Sequence, residues 1–339
     1  MILTRSQIEN NISWLLDNGS PPIKYLTHKD ILKTTPDSDK MKSLWLDVEN
    51  CHNAQEIFGK QQKDGSWCAG GSWALGPSYL PQGGYSCYTP KYVTTVWVLP
   101  LLGEMGFTVQ NPGVQKACDY VLSHDYFLHP IFRASTIEPD YPNVTIHPCC
   151  FSQYLIALGS VGWSAGDDHR IGTAYQILLH QQREDGGWAW ERHYKEMNWN
   201  RSCPWSSSHA TTALYHAKNQ AHRDALIKGL KFLVWHWSLR NTNELLRFFH
   251  NGRCTIRELL MLSEYKIGLN ENPATALLEW LMTMYLPDEG HFRYIGKPIS
   301  KHSRRQDGMD ARVAKYRLYH LIEDDWLTYY LTIIAKNLM

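Results

Sequence analysis

The sequence predicts an all-α fold, an (α/α)6 toroid of six inner and six outer helices, and three observations lead there. Apolar residues recur at helical spacing through most of the 339 residues, whereas period-two runs are scarce. The helical segments alternate between long amphipathic stretches and shorter ones that are apolar nearly all round, and a helix apolar on every side has to be surrounded. A turn motif also repeats. Gln61, Gly65 and Trp67 of QQKDGSW share the Q-x-x-x-G-x-W spacing of Gln182, Gly186 and Trp188 of QQREDGGWAW, and PDEGHF keeps a glycine and an aromatic as Gly290 and Phe292.

In chain order, SQIENNISWLL opens the amphipathic set, which covers residues 4–17, 40–62, 113–124, 169–182, 221–236 and 271–285. The apolar set covers 26–34, 91–105, 149–160, 207–217, 254–264 and 324–337, with FSQYLIALGSV and WLTYYLTIIAKNL as its plainest members. Surrounded helices form the inner ring and amphipathic ones the outer ring. Gly/Pro/Asn/Asp-rich connections such as ALGPSYLPQGGYSCYTP and STIEPDYPNVTIHP separate them. None has the character of an interdomain linker, so one domain spanning 1–339 is expected. In each repeated turn, glycine supplies a backbone conformation other residues resist. The tryptophan then stacks between helix pairs, and the glutamine side chain holds backbone groups at a helix end.

Composition narrows the function. Charged residues make up 20% and the formal net charge is +1, which leaves no electrostatic footprint for nucleic acid or an anionic membrane. No window approaches the ~20 apolar residues of a membrane span, and the start MILTRSQIENNISWLL lacks a secretory core, so a cytoplasmic protein is expected. A peripheral membrane contact would leave no such signal. The eight cysteines include no Cys-x-x-Cys pair and read as reduced thiols, a subset of them candidate ligands. The 14 Trp, 19 Tyr and 9 Phe fit a large apolar cavity and a packed core equally well.

Helix N-termini offer unpaired N–H groups and a positive dipole end, so the starts of the inner helices are the places to seek chemistry. They carry His28 with Asp30, Lys91 with Tyr92, His147 with Cys149 and Cys150, Cys203 with His209, Arg253 with Cys254, and Glu323 with Asp324 and Asp325. Tyr88, Trp97 and Trp205 are aromatic candidates nearby. Each has a plain structural alternative: the cysteines as small apolar packing residues, His209 as a hydrogen-bonding cap, Asp324 and Asp325 as capping carboxylates. A glycine-rich phosphate loop, a Gly-x-Ser-x-Gly elbow, a His-Glu-x-x-His helix and an aspartate-rich diphosphate motif are all missing from the sequence. The basic stretch with His302, Arg304, Arg305 and Arg312 fits either a diphosphate grip or a solvated loop.

The glutamine-tryptophan repeat resembles that of squalene and oxidosqualene cyclases and of the related protein prenyltransferases. The resemblance runs over nearly the whole chain, although two repeats alone keep the full motif, and GGYSCYTPKYVTTVWVLPLLGEMG also resembles prenyltransferase-like and squalene-cyclase-like microbial proteins. It implies an apolar, isoprenoid-type substrate. From the prenyltransferases it implies a zinc site: His147 stands where that family has an aspartate, Cys149 or Cys150 supplies the thiolate, and His209 the histidine, with Cys203 close in sequence. It also implies that a helical partner subunit is needed in some members. From the cyclases it implies the alternative of acid initiation, with Asp324 of IEDDW as proton donor beside Asp325, although Ile322 stands where the motif's first aspartate belongs. Lys91 and Tyr92 would then line the cavity mouth, and His28, Tyr88, Trp97, Trp205 and Arg253 would contact substrate. A non-catalytic toroid that binds a lipid or a protein is the alternative of a different class. A toroid acting on acidic sugars is disfavoured by the aromatic bias.

Overall fold

The computed structural model describes residues 3–67, 71–72, 85–86, 94–124, 127–128, 130–131, 144, 146–190, 201–239, 256–293 and 324–339. Among them the protein is all-α, apart from two short hairpins. In order it has α1 (Arg5–Asn18), α2 (Pro21–Leu26), α3 (Asp39–Asn50), α4 (His52–Gly59), β1 (Gly71–Ser72) and β2 (Tyr85–Ser86). There follow α5 (Thr95–Glu104), α6 (Pro112–Leu122), α7 (Pro148–Ser160), α8 (His169–His180), α9 (Pro204–Ala217) and α10 (Arg223–Ser238). The last elements are α11 (Ile256–Tyr265), α12 (Asn272–Met282), β3 (Tyr285–Leu286), β4 (His291–Phe292) and α13 (Asp324–Leu338). No helix among the described residues is long and apolar enough to cross a membrane.

Two expected helices differ in detail. The segment 40–62 breaks at Cys51, whose φ of −65° and ψ of 149° are extended rather than helical, so that α3 and α4 replace one long helix. The segment 26–34 begins earlier, because Pro21 and Pro22 fill the first-turn positions where a missing N–H costs nothing. It then widens into a π-helical turn over Thr27–Ile31.

The chain divides into two compact units, Lys60–His236 and a second made of Met1–Gly59 with Trp237–Met339. Within Lys60–His236 the apolar helices lie side by side in the order α5, α7, α9, with α6 and α8 packed beside them. Helix α7 is buried from Pro148 through Leu158, as its all-round apolar sequence requires. Phe151, Tyr154, Leu155 and Leu158 are each 0% exposed, and burying such a side chain contributes about 1.5–3 kcal/mol. In the other unit the apolar elements α11, α13 and α2 also pack in succession, and α1 lies against α13.

The repeated turns act as staples. Gln61 Nε2 donates to the carbonyls of Gly65 (2.9 Å) and Gly113 (2.8 Å), and Gln182 Nε2 donates to those of Gly186 and Ala225 (both 2.8 Å). One amide thus ties its own turn to the first turn of α6 or α10. Gly186 has φ +86°, and a Cβ there would sit 2.7 Å from the Lys228 carbonyl, so both conformation and space demand glycine. Trp188 is fully buried and its indole N–H donates to Leu178 O at 2.8 Å.

The third turn uses different parts. With its amide oriented to satisfy its neighbours, Asn11 of α1 donates to the carbonyls of Gly290 (2.9 Å) and Gln7 (3.1 Å) and accepts from Thr332 Oγ1 (3.0 Å). A buried asparagine from another helix therefore does for Gly290 what the glutamines do for Gly65 and Gly186. In all three turns the backbone N–H of the aromatic residue donates to a hydroxyl near the start of an apolar helix. The pairs are Trp67 to Thr95 (3.3 Å), Trp188 to Ser207 (2.9 Å) and Phe292 to Thr328 (2.9 Å). The turns thereby fix where α5, α9 and α13 begin.

Candidate metal centre

The first turn of α7 is set from two sides. Gln181, the residue before the staple glutamine, donates from Nε2 to Val144 O at 3.1 Å and holds the chain entering the helix. Gln153 Nε2 donates to Val96 O at 2.7 Å and ties α7 to the first turn of α5. Pro148 takes the first helical position, and His147 occupies the N-cap without using its side chain to cap. Its imidazole turns instead toward the two thiols that follow.

His147 Nδ1 lies 3.2 Å from Cys149 Sγ and 3.5 Å from Cys150 Sγ, and the two sulfurs are 3.7 Å apart. Among the described residues these three form a group able to hold a metal ion, with all ligand atoms within 4.8 Å of one another. Zinc–sulfur bonds of about 2.3 Å and zinc–nitrogen bonds of about 2.0–2.1 Å give a tetrahedron with S···S edges of about 3.8 Å and S···N edges of about 3.6 Å. The S···S edge and the Cys150 S···N edge are close to that size, the Cys149 S···N edge is shorter, and a donor set of two sulfurs and an imidazole is one that zinc accepts. His147 is 9%, Cys149 5% and Cys150 0% exposed.

Electrostatics favour the anionic sulfur. Burial by itself would raise the Cys149 thiol, but a hydrogen bond from Cys150, the charge and hydrogen bond of His147, and the charge of His209 together hold it well below the usual thiol range. The helix N-terminus acts in the same direction.

His209 lies outside the three-residue group but in the second turn of α9, beside α7. Its Nδ1 donates to Trp205 O at 2.9 Å, so that a neutral ring carries its lone pair on Nε2, the tautomer a metal ligand needs. Trp205 lies 4.7 Å from the ring and Trp97 approaches it edge-on at 6.1 Å. On the other side Trp190 lies 4.7 Å from the His147 ring. Trp190 was not singled out as a site residue from sequence; its one signal is its place two residues beyond the staple Trp188.

Cys203 is not part of the group. It caps α9, with its backbone N–H bonded to Trp188 O at 2.9 Å and its carbonyl accepting from Ser207 Oγ at 2.8 Å. His28 lies in the other unit, in the π-helical turn, where Nδ1 contacts Thr34 Oγ1 at 3.0 Å. Partial burial and then the charge of Lys40 lower its pKa. Lys91, Tyr92, Tyr88 and Arg253 lie outside the described residues.

The two aspartates at the start of α13 have separate partners. Asp325 is 9% exposed and accepts from the backbone N–H groups of Ser20 and Trp326, both at 2.8 Å. Asp324 Oδ2 lies 3.5 Å from Arg293 Nε and 3.8 Å from His291 Nε2. His291 stacks on Trp14 with centroids 4.2 Å apart, and its Nδ1 is 3.8 Å from Glu289 Oε2. Asp324 thus sits beside an arginine and a histidine.

No protein-family model matches the chain, and no curated protein and no solved structure match it.

Proposed function

We propose that the chain is a prenyltransferase- or terpenoid-cyclase-like enzyme acting on an apolar, isoprenoid-type substrate, with zinc held by His147, Cys149 and Cys150. The observation that carries this reading is the convergence of the three donors at 3.2, 3.5 and 3.7 Å, near enough to share one metal ion. His209, outside that group of three, is the candidate for a further ligand, its Nδ1 being engaged by the Trp205 carbonyl. When bound, zinc supplies a Lewis acid that activates a thiol or water at an open position. The chain supplies the rest. Trp97, Trp190 and Trp205 beside the two histidines give an aromatic wall that excludes water and accepts a hydrocarbon chain.

The repetition itself supports a repeat-built helical fold: each unit contains a stapled turn whose aromatic N–H is bonded to a hydroxyl on an apolar helix. Acid initiation at Asp324 has less support, because its carboxylate faces Arg293 and His291.

The test is metal content by plasma mass spectrometry on tag-free protein purified without chelator, followed by mass-spectrometric assay with polyprenyl diphosphates and squalene. About one zinc per chain, lost in Cys150→Ala and retained in Asp324→Asn, is the expected result. Folded wild-type protein free of metal sinks the zinc centre, and zinc-loaded protein that turns over none of these substrates sinks the isoprenoid assignment.

A further inference from the structure

Cys149 and Cys150 are consecutive in sequence and both lie in the first turn of α7, with sulfurs 3.7 Å apart. Consecutive Cα atoms are about 3.8 Å apart, below the range of about 4.4–6.8 Å that disulfides usually span. The turn that fixes them is hydrogen-bonded, with the N–H groups of Cys150 and Phe151 donating to His147 O at 3.0 and 2.9 Å. A disulfide between the two sulfurs would therefore be strained. The sulfurs are placed to close together on a third atom.

We propose that this pair is a chelating trap for trivalent arsenicals, and that such compounds poison the protein at this point. An organoarsenic(III) oxide reacts with both thiols: the As=O bond and two S–H bonds break, two As–S bonds form, and both protons leave with the oxygen as water. Arsenic stays trivalent, so no oxidant or reductant is required. Among the described residues the remaining cysteines, Cys51, Cys118 and Cys203, lie at separate places in the fold, and a single thiol makes no chelate. The inference deepens the zinc reading, since the same sulfurs are used, but capture of arsenic requires the two thiols alone.

The experiment uses the full chain, stripped of metal with chelator, and phenylarsine oxide as probe, read by intact and peptide mass spectrometry. The expected product carries one phenylarsenic group with two hydrogens lost, located on the peptide holding Cys149 and Cys150. Capture is abolished in Cys150→Ser and in Cys150→Ala, each checked for native helicity by circular dichroism, and unchanged in Cys203→Ser. Zinc in excess slows it. A thiol oxidant such as diamide leaves the two cysteines without a mutual disulfide. Undiminished capture in a folded Cys150 variant, or a Cys149–Cys150 disulfide after diamide, overturns the proposal. Protein that is purified without zinc yet captures the arsenical removes the zinc reading and leaves this one standing. Zinc-loaded protein that captures nothing after demetallation does the opposite.

Discussion

The starts of α7 and α13 offer the same physical resource, a helix N-terminus, and use it differently. At α7 the side chains turn toward each other: His147 leaves its capping role, and its ring and the two sulfurs meet within 3.7 Å. At α13 the side chains turn outward to separate partners, Asp325 to the backbone of Ser20 and Trp326, Asp324 to Arg293 and His291. Convergent donors make a place for a ligand, whereas dispersed partners make a joint in the fold. The sequence alone ranks the two alike, since both are runs of polar or soft residues at the start of an apolar helix.

The largest expected effect belongs to α7. Zinc at 100 times its dissociation constant stabilises the folded chain by about 2.7 kcal/mol, provided that the unfolded chain binds none. Thermal unfolding with zinc and with chelator should show that difference in wild type and in Asp324→Asn, and lose it in Cys149→Ala. An equal shift in Cys149→Ala would place the metal elsewhere and break the comparison. Next comes Asp325→Ala, which leaves the half-buried Ser20 N–H and the Trp326 N–H in the first turn of α13 without their carboxylate. Urea unfolding should show a loss of about 1–2 kcal/mol, with zinc content unchanged. A fall in bound zinc would mean that α13 belongs to the site after all. Gln181→Ala should cost about 1 kcal/mol through the lost bond to Val144 O. Zinc affinity should fall about 10-fold in competition with a chelator, because the chain entering His147 is loosened.

These variants also mark how far the sequence could be read. Helix positions were legible because apolar periodicity reports burial directly; α7, expected over 149–160, occupies Pro148–Ser160. The staple glutamines were legible because donor and turn lie four residues apart, as Gln182 and Gly186 do. The hydroxyl partners were not: the separations from Trp67 to Thr95, Trp188 to Ser207 and Phe292 to Thr328 are 28, 19 and 36 residues, so a varying sequence spacing hides a constant bond. Asn11 was invisible for the same reason, since its partner turn at Gly290 comes from the far end of the chain. At the candidate site, His147, Cys149 and Cys150 were legible as neighbours in sequence. The exclusion of Cys203 from their group depends on side-chain direction, which spacing does not encode.

The smallest effect is the most discriminating for Asp324. Its side chain is 32% exposed, with Arg293 Nε at 3.5 Å and His291 Nε2 at 3.8 Å among its neighbours. Solvent-screened pairs of this kind contribute about 0–1 kcal/mol, so Asp324→Asn should unfold within about 0.5 kcal/mol of wild type, and added salt should narrow even that gap. An aspartate acting as a proton donor behaves otherwise, because the isosteric asparagine keeps the fold and removes the acid. Turnover in Asp324→Asn that falls by three or more orders of magnitude, with zinc and stability intact, would show that the dispersed partners of α13 are rearranged when substrate binds. Turnover within about 3-fold of wild type would leave Asp324 as a surface partner of Arg293 and His291, and the chemistry with α7.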